Sequence, residues 1–259
     1  MSSNPTRWTP QPLELRAITM MFRDVADKDY IAARLLFRHD LELQFLWSAL
    51  QALEKYLKAI LLFNGYTSLR LGHSLTKAFD RVRLIDDVSF QFPPDLRPFL
   101  EHIQDLGQNR YLAQAHCVHG DELLRLDKAV WHVRRYCQYL RGPDTTNPRY
   151  LKASLNNIHS ARWQQRPERF RIGGYLESIE KQDSSERSAL VWNNLYYGKR
   201  RRVNPPRMRI RTVSINPVHV WHPEVVHVLR ERVQFPAELL AAVDEYLASG
   251  QRKPQPSPI

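Results

Sequence analysis

An apolar stripe between residues 41 and 63 constrains the fold of this chain more than any other feature. Apolar residues recur along it at steps of three and four, which places them on one face of an α-helix; they are Leu43, Leu46, Leu50, Leu53, Leu57 and Ile60. A second set widens this face, and it consists of Phe45, Ala49, Ala52, Tyr56, Ala59 and Phe63. Asn64-Gly65 then provides a stop, because glycine tolerates the left-handed backbone beyond a helix end. The pattern predicts a long helix that is buried on two sides.

Further periodic segments predict a mainly α protein. The expected helices of the N-terminal half are Asp24–Arg38, Leu75–Ile85 with Ser74 as its cap, Leu96–Leu106, Asn109–Val118 and Glu122–Leu140, with Gly107 breaking or bending the chain. The C-terminal half is less regular. It predicts a helix over Ser185–Tyr197, a strand over Met208–Ile215, and short helices over Pro223–Arg232 and Pro236–Ala248.

Composition excludes several classes of protein. The chain has 259 residues, of which 43% are apolar, and this is enough to bury a core. Only nine glycines occur, without a GxGxxG or GxxxxGK[ST] motif, which argues against nucleotide enzymes of the Rossmann and P-loop classes. Two cysteines do not build a disulfide scaffold. The N-terminus has no apolar signal segment, and no apolar run approaches the length of a membrane span. We therefore expect a cytoplasmic protein without a membrane partner.

Positive charge is concentrated in the C-terminal half. Residues 1–148 contain 19 Lys and Arg and 17 Asp and Glu, a net charge of +2, whereas residues 149–259 contain 19 and 10, a net charge of +9. A basic run of seven cations in 13 residues, with no acid among them, consists of Lys199, Arg200, Arg201, Arg202, Arg207, Arg209 and Arg211. It follows three aromatic residues that could stack on bases, Trp192, Tyr196 and Tyr197. The run predicts binding to RNA or another nucleic acid. The alternatives are a basic surface that serves solubility and a segment that covers an acidic patch of the same protein.

Three motifs in order along the N-terminal half resemble the HEPN domain. They are the helical run from Ala49 to Ala59 with Glu54-Lys55 and Lys58, the loop Gly72-His73-Ser74-Leu75, and Asn109-Arg110-Tyr111. The resemblance covers about residues 20–141 and implies an up-and-down bundle of four or five helices, usually a homodimer. Some members of the family are metal-independent endoribonucleases with an R-x(4–6)-H motif. Others are non-catalytic modules for nucleotide binding or dimerisation.

Arg110 and His116 match the R-x(5)-H form of that motif, so the resemblance implies that they are the catalytic residues. Histidine titrates near neutrality and suits a general acid or base, and arginine offers a bidentate fork to phosphate. Two features depart from the catalytic pattern. Tyr111 stands where catalytic members usually have a polar residue, and six residues along one straight helix would place Arg110 and His116 on different faces. Asn109 would share the face of His116.

Glu54, His73, Asn109 and Tyr111 are the expected supporting residues of this site. Glu54 could orient Arg110 for catalysis. The alternative is that Arg110 is a buried structural arginine paired with a carboxylate such as Glu54. Glu54 and Lys58 are also spaced as an ion pair on a solvated helix face. His73 precedes a helix start, where it either packs or caps, or helps the first N–H groups to hold a phosphate.

The histidine pairs His116/His119 and His219/His222 lack a recognisable set of further ligands, so no metal and no cofactor is predicted. The expected organisation is an N-terminal extension over 1–19, a HEPN-like bundle over 20–148, a basic C-terminal extension packed on the bundle over 149–249, and a disordered tail over 250–259. The predicted function is RNA or nucleotide binding, with metal-independent endoribonuclease activity as its catalytic form. The alternative is a non-catalytic dimerisation or interaction module of a toxin–antitoxin or defence system, with an antitoxin or a nucleotidyltransferase as partner.

Overall fold

A computed structural model of the chain describes residues 7–107, 116–142, 147–198, 213–215, 222–235 and 237–249. These residues divide into two compact units. The first contains the described residues up to Gly107 and those from Asp121 to Gly198, and the second contains those from 116 to 120 and from Val213 onwards. Among the described residues, no helix combines the length and the apolar character that a membrane span requires.

The first unit is helical. In its described part the helices are α1 (Pro12–Ile18), α2 (Asp24–Arg38), α3 (Glu42–Phe63), α4 (Leu75–Arg83), α5 (Arg97–Gly107), α6 (Glu122–Arg134), α7 (Pro148–Ile158), α8 (Arg162–Gln165), α9 (Tyr175–Ile179) and α10 (Ser185–Val191). A π-helical turn, Thr19–Arg23, joins α1 to α2, and 3-10 turns lie at Asp86–Val88, Pro94–Leu96 and Pro167–Arg169.

Helix α3 is the centre of this unit, as its two-sided apolar pattern predicts. It lies against α2, α4, α5 and α6. Leu46, Leu50, Leu53 and Leu57 of the predicted stripe are buried, and so are Val130, Val133 and Cys137 in and just after α6. The prediction of a mainly α fold built around a helical bundle is therefore confirmed.

The ends of α3 and α4 follow the expected local chemistry. The Ser74 Oγ accepts a hydrogen bond from the Lys77 N–H at 3.3 Å and caps α4. Beyond α3, Gly65 has a left-handed backbone with φ of +73°, and a Cβ at this position would lie 1.8 Å from the Trp8 carbonyl oxygen. Trp8 also donates its backbone N–H to the Gly65 carbonyl at 3.0 Å. Only glycine therefore fits here, because the N-terminal segment crosses directly over it.

Gly107 closes α5 by close packing on α3. A Cβ at Gly107 would lie 2.8 Å from the Leu50 Cβ and 3.0 Å from the Leu46 carbonyl oxygen. The residue is therefore a contact point between two helices, in addition to being a helix end.

Two predicted helices end six residues earlier than expected. Helix α6 ends at Arg134 instead of Leu140, because the backbone N–H groups of Tyr136 and Cys137 donate to carbonyls three residues back instead of four. The side chains of both residues are nevertheless buried. Helix α10 ends at Val191, and Asn193 then takes a left-handed backbone that asparagine tolerates. In both cases the spacing of the apolar residues predicts which side chains are buried better than it predicts where the helical backbone ends.

The helix predicted over Asn109–Val118 is wrong at its C-terminal end. Residues His116–Val118 form strand β1, which pairs antiparallel with β2 (Val213–Ile215) so that His116 faces Ile215 and Val118 faces Val213. Residues 109–115, and residues 208–212 of the predicted strand, lie outside the described residues. Cross-strand hydrogen bonds to a distant segment decide the conformation of 116–118, and helical periodicity does not report them.

The described part of the second unit also contains two helices, α11 (Pro223–Leu229) and α12 (Ala237–Ala248). They share a small core of Val226, Leu239 and Val243, with Phe235 and Leu240 packed against it.

A buried ionic network connects the segment 147–198 to the preceding helices of the first unit. Arg134 donates to Asp27 at 2.7 and 2.9 Å and to both oxygens of Glu177 at 2.8 Å. Asp27 also accepts from the Tyr56 hydroxyl at 2.6 Å and from the Leu176 N–H at 3.4 Å. The network therefore joins α2, α3 and α6 to α9.

A second buried network between α2 and α6 lies two helical turns further along α2. Arg34, which is fully buried, pairs with Asp127, and the Tyr30 hydroxyl donates to the same carboxylate at 2.6 Å. The Arg34 guanidinium also donates to the carbonyls of Ala189, at 2.8 Å, and Trp192. The chain after α6 is thus bound to the bundle through charged groups that are removed from water.

Candidate functional site

Glu54, Lys58 and His73 form a polar cluster where α3 passes the loop before α4. The Lys58 Nζ lies 2.6 Å from Glu54 Oε1 and donates to the Gly72 carbonyl at 2.7 Å. The His73 Nδ1 lies 3.3 Å from the same Glu54 oxygen. The structure therefore brings together two of the expected supporting residues, Glu54 and His73.

The expectation of a solvated Glu54–Lys58 pair is wrong. The Glu54 side chain is 4% exposed and that of Lys58 is 14% exposed, because α3 is covered on this face as well. In contrast, His73 is 83% exposed and faces solvent.

One carboxylate oxygen of Glu54 has no donor. Within the described part of the chain, Glu54 Oε2 is buried and accepts no hydrogen bond. A buried acceptor without a donor costs about 1–3 kcal/mol, so such groups are rare away from functional positions. Glu54 thus offers a preformed acceptor for a further N–H group.

Two backbone N–H groups in the first turn of α4 already donate hydrogen bonds to side chains of the protein. The Leu75 N–H donates to the Gln104 Oε1 at 2.5 Å, and the Lys77 N–H donates to Ser74. These two bonds occupy two of the first three N–H groups of α4, which a phosphate beside His73 would otherwise use.

Arg110, Asn109 and Tyr111 lie outside the described residues. The backbone of His116 belongs to β1, so the argument that a straight helix separates Arg110 from His116 does not apply. The whole basic run also lies outside the described residues, namely Lys199, Arg200, Arg201, Arg202, Arg207, Arg209 and Arg211.

The aromatic residues before the basic run are used inside the protein. Tyr197 is 5% exposed, and burial raises the pKa of its hydroxyl. The ring of Tyr196 lies 5.4 Å from that of Trp131, and the Arg38 guanidinium lies 5.6 Å from the Trp192 ring. The expectation that this trio stacks on bases is therefore wrong for Tyr197, and the other two already have protein partners.

The family comparison fits the helices and motifs described above. Residues 20–115 match the family model of the HEPN domain. The chain contains a HEPN domain. The match begins just before α2 and includes Glu54, His73 and Arg110, whereas His116 is the first residue after it. No curated protein and no solved structure matches the chain.

Proposed function

We propose that this HEPN-domain protein binds RNA and cleaves it without a metal ion. The observation that carries the proposal is the HEPN match itself, because it includes Arg110, and His116 follows it directly at the R-x(5)-H spacing. The basic run supplies the positive charge that a polyanion requires.

The proposed chemistry needs only the two side chains and RNA. His116, as general base, takes the proton of the ribose 2′-OH, and the 2′-oxygen forms a bond to phosphorus. The bond between phosphorus and the 5′-oxygen breaks, and this oxygen takes a proton from solvent water, to which His116 releases the proton that it accepted. Arg110 stabilises the added negative charge on the phosphoryl oxygens. The products are a 2′,3′-cyclic phosphate and a 5′-hydroxyl.

A cleavage assay on single-stranded RNA tests the mechanism. We expect cleavage that persists in EDTA and disappears in Arg110→Ala and His116→Ala, with His119→Ala as a matched histidine control. Inert wild-type protein on diverse RNAs, or activity that EDTA removes, would show that the mechanism is wrong.

The contribution of the basic run is tested by filter binding across a salt series. If about four cations contact phosphates, the slope of log K against log salt should be roughly −3 on single strands. Alanine at Arg200, Arg201, Arg202 and Arg209 should flatten this slope. The matched control places alanine at four exposed cations elsewhere, which are Arg16, Lys77, Lys152 and Lys181. Equal slopes for the two variants would refute a role of the run in RNA binding.

We further propose a homodimer, as is usual for HEPN domains. Light scattering should report twice the 30.5 kDa mass of the chain. The second candidate function is a non-catalytic dimerisation or interaction module, which Tyr111 favours because it replaces the usual polar residue after the arginine. A dimer that neither binds nor cleaves RNA, and that associates with an antitoxin or nucleotidyltransferase partner, would support this second function.

A further inference from the structure

Arg135, directly after α6, is a buried arginine whose hydrogen-bonding capacity is only partly used. It is 6% exposed, and its guanidinium lies 3.9 Å from the centroid of the Trp131 ring. One terminal nitrogen donates to the Ile158 carbonyl at 2.9 Å, and the other contacts His132 Nδ1 at 3.1 Å. The Nε has no hydrogen-bond partner among the described residues. At least one N–H group of the guanidinium is therefore left for a further acceptor.

Arg135 also differs in charge environment from the other buried arginines. Arg34 and Arg134 each pair with carboxylates, but Arg135 forms no ion pair with any described residue. Burial without a counter-charge lowers the pKa of Arg135 to about 10. A buried cation is costly unless it is paired, so an anion bound beside Arg135 would be stabilised by it.

Arg135 lines a cleft of about 690 Å³ within the first unit, and this volume is in the range of small-molecule sites. Among the lining residues described, three are arginines and none is acidic. Arg97 is already paired with Asp80 and Glu101. Arg83 is exposed, so water hydrates its charge. In the described lining, Arg135 is therefore the cation that has neither bulk water nor a carboxylate beside it.

The two histidines of the lining are neutral, and each has an N–H group to donate. The Tyr136 oxygen accepts from the Gln91 N–H at 3.0 Å, so its O–H donates to His159 Nε2 at 2.9 Å and leaves the proton on Nδ1. The His132 Nδ1 accepts from Arg135, so its Nε2 bears the proton. Burial, together with the charge of Arg135, lowers the pKa of both imidazoles, that of His132 to about 3. At neutral pH these side chains surround one buried positive charge without adding a second.

Aromatic rings form the apolar part of the cleft. Phe90 and Phe92 are half-buried and nearly parallel, with an interplanar angle of 14°, and Phe79 meets both of them edge-on. The centroid of the Phe92 ring lies 6.4 Å from that of His132, which in turn contacts Arg135. One compact ligand can therefore reach both the rings and the buried guanidinium.

We propose that this cleft binds a small aromatic carboxylic acid, with its ring against Phe90 and Phe92 and its carboxylate on Arg135. An ionised carboxylate only accepts hydrogen bonds, and its two oxygens match a planar guanidinium. It also carries a single charge, which equals that of the one buried cation. A phosphate monoester carries a charge of about −1.5 to −2 at pH 7, so it would leave negative charge desolvated and unpaired.

The proposed ligand lies outside the RNA chemistry proposed above. Its site uses neither Arg110 nor His116 nor the basic run, and two residues of the lining, Ser160 and Gln164, lie beyond the HEPN match.

Isothermal titration calorimetry on the full chain at pH 7.5 tests the proposal. The probes are phenylacetate and indole-3-acetate, with indole-3-acetamide as the neutral analogue of the same shape, acetate as the carboxylate without a ring, and AMP as the phosphate ester. Indole-3-acetate should bind at least about tenfold more tightly than the amide or acetate, because only the aromatic acids use both the rings and the buried guanidinium. This comparison needs no variant of the protein.

Variants locate the site. Arg135→Gln should weaken binding of indole-3-acetate by about tenfold or more. Arg83→Gln is the matched control, since it removes the exposed arginine of the same lining and should change the affinity by less than about threefold. Phe92→Leu, at a half-buried position, should weaken binding by about fivefold, because it removes the aromatic face. Circular dichroism establishes that each variant is folded.

The proposal is overturned if neither aromatic acid binds at millimolar concentration, if the amide binds as tightly as the acid, or if AMP binds more tightly than both acids. It is also overturned if folded Phe92→Leu binds indole-3-acetate like the wild type, or if Arg83→Gln loses as much affinity as Arg135→Gln. None of these outcomes bears on RNA cleavage by Arg110 and His116 or on RNA binding by the basic run, so the two proposals fail independently.

Discussion

Replacing Arg134 by methionine should destabilise the protein strongly. Methionine keeps the unbranched shape and the helix propensity of arginine, but it removes the cation shared by Asp27 and Glu177. The side chains of Arg134, Asp27 and Glu177 are 4%, 0% and 11% exposed, so water does not replace the lost hydrogen bonds.

Two arguments give the magnitude. Breaking a buried ion pair by removing one partner costs about 3–5 kcal/mol, because the remaining charge stays desolvated. In addition, burial would raise the pKa of Glu177, but hydrogen bonds from Arg134 outweigh it and hold this pKa at about 2 against a usual 4.5. That lowering corresponds to about 3 kcal/mol. We therefore expect a loss of about 3–5 kcal/mol at pH 7.

The assay is urea unfolding followed by circular dichroism at 222 nm. Arg125→Met is the matched control, because Arg125 lies on the same helix and its pair with Asp121 is half exposed. Exposed pairs contribute at most about 1 kcal/mol, so the control should change little.

The pH dependence gives a second measurement on the same pair of proteins. The pKa of Glu177 is lowered in the folded wild type, so its stabilisation is complete above about pH 4.5 and is lost as the pH falls towards about 2. The difference in unfolding free energy between wild type and Arg134→Met should shrink over this range. If Arg134→Met costs no more than Arg125→Met at pH 7, the buried network does not hold α9 to the bundle and the reasoning is wrong.

Three further predictions concern the first unit. Leu53→Ala should cost about 2–5 kcal/mol in urea unfolding, since Leu53 is fully buried, and a loss below about 0.5 kcal/mol would exclude it from the core. Gly107→Ala should cost about 1–3 kcal/mol, because the new methyl meets the backbone of Leu46, and an unchanged midpoint would contradict this contact. His132 has its pKa lowered to about 3 by burial against a usual 6.5, so the unfolded chain binds the extra proton and stability should fall as the pH drops from 6.5 to 3. His132→Gln should flatten this acid-side slope, and an unchanged slope would show that His132 does not cause it.

Much of the helical bundle could be predicted from local pattern. The three–four period of α3 depends only on the geometry of a helix with buried faces, so it predicts both the element and its central place. Ser74 and Gly65 are equally local, since a hydroxyl cap and a left-handed backbone need few partners. The HEPN motifs are short and ordered along the chain, and for that reason the family could be predicted; the prediction covered about residues 20–141, and the family model matches residues 20–115.

The roles of individual arginines could not be predicted in the same way. Nothing in the sequence distinguishes three arginines of the nearly neutral N-terminal half from exposed surface charges, yet all three are buried; they are Arg34, Arg134 and Arg135. One pattern did point to both networks, because Asp27 of the first and Tyr30 and Arg34 of the second follow each other at steps of three and four on the face of α2 that also buries Ala26 and Ala33. Whether a polar residue on such a face is paired depends on groups far away along the chain.

The amino-acid sequence alone therefore determines that the fold is mainly helical, where α3 ends and α4 begins, and that a HEPN domain is present. These properties depend on hydrogen bonds and side-chain spacing within a few residues. Only the tertiary structure decides that 116–118 is a strand, that Arg134 is paired with Asp27 across 107 positions, and that Arg135 contacts a carbonyl and a histidine instead of a carboxylate among the described residues. The physical reason is that a buried charge or a lone strand is stable only with a partner, and the fold, not the local pattern, determines which groups meet.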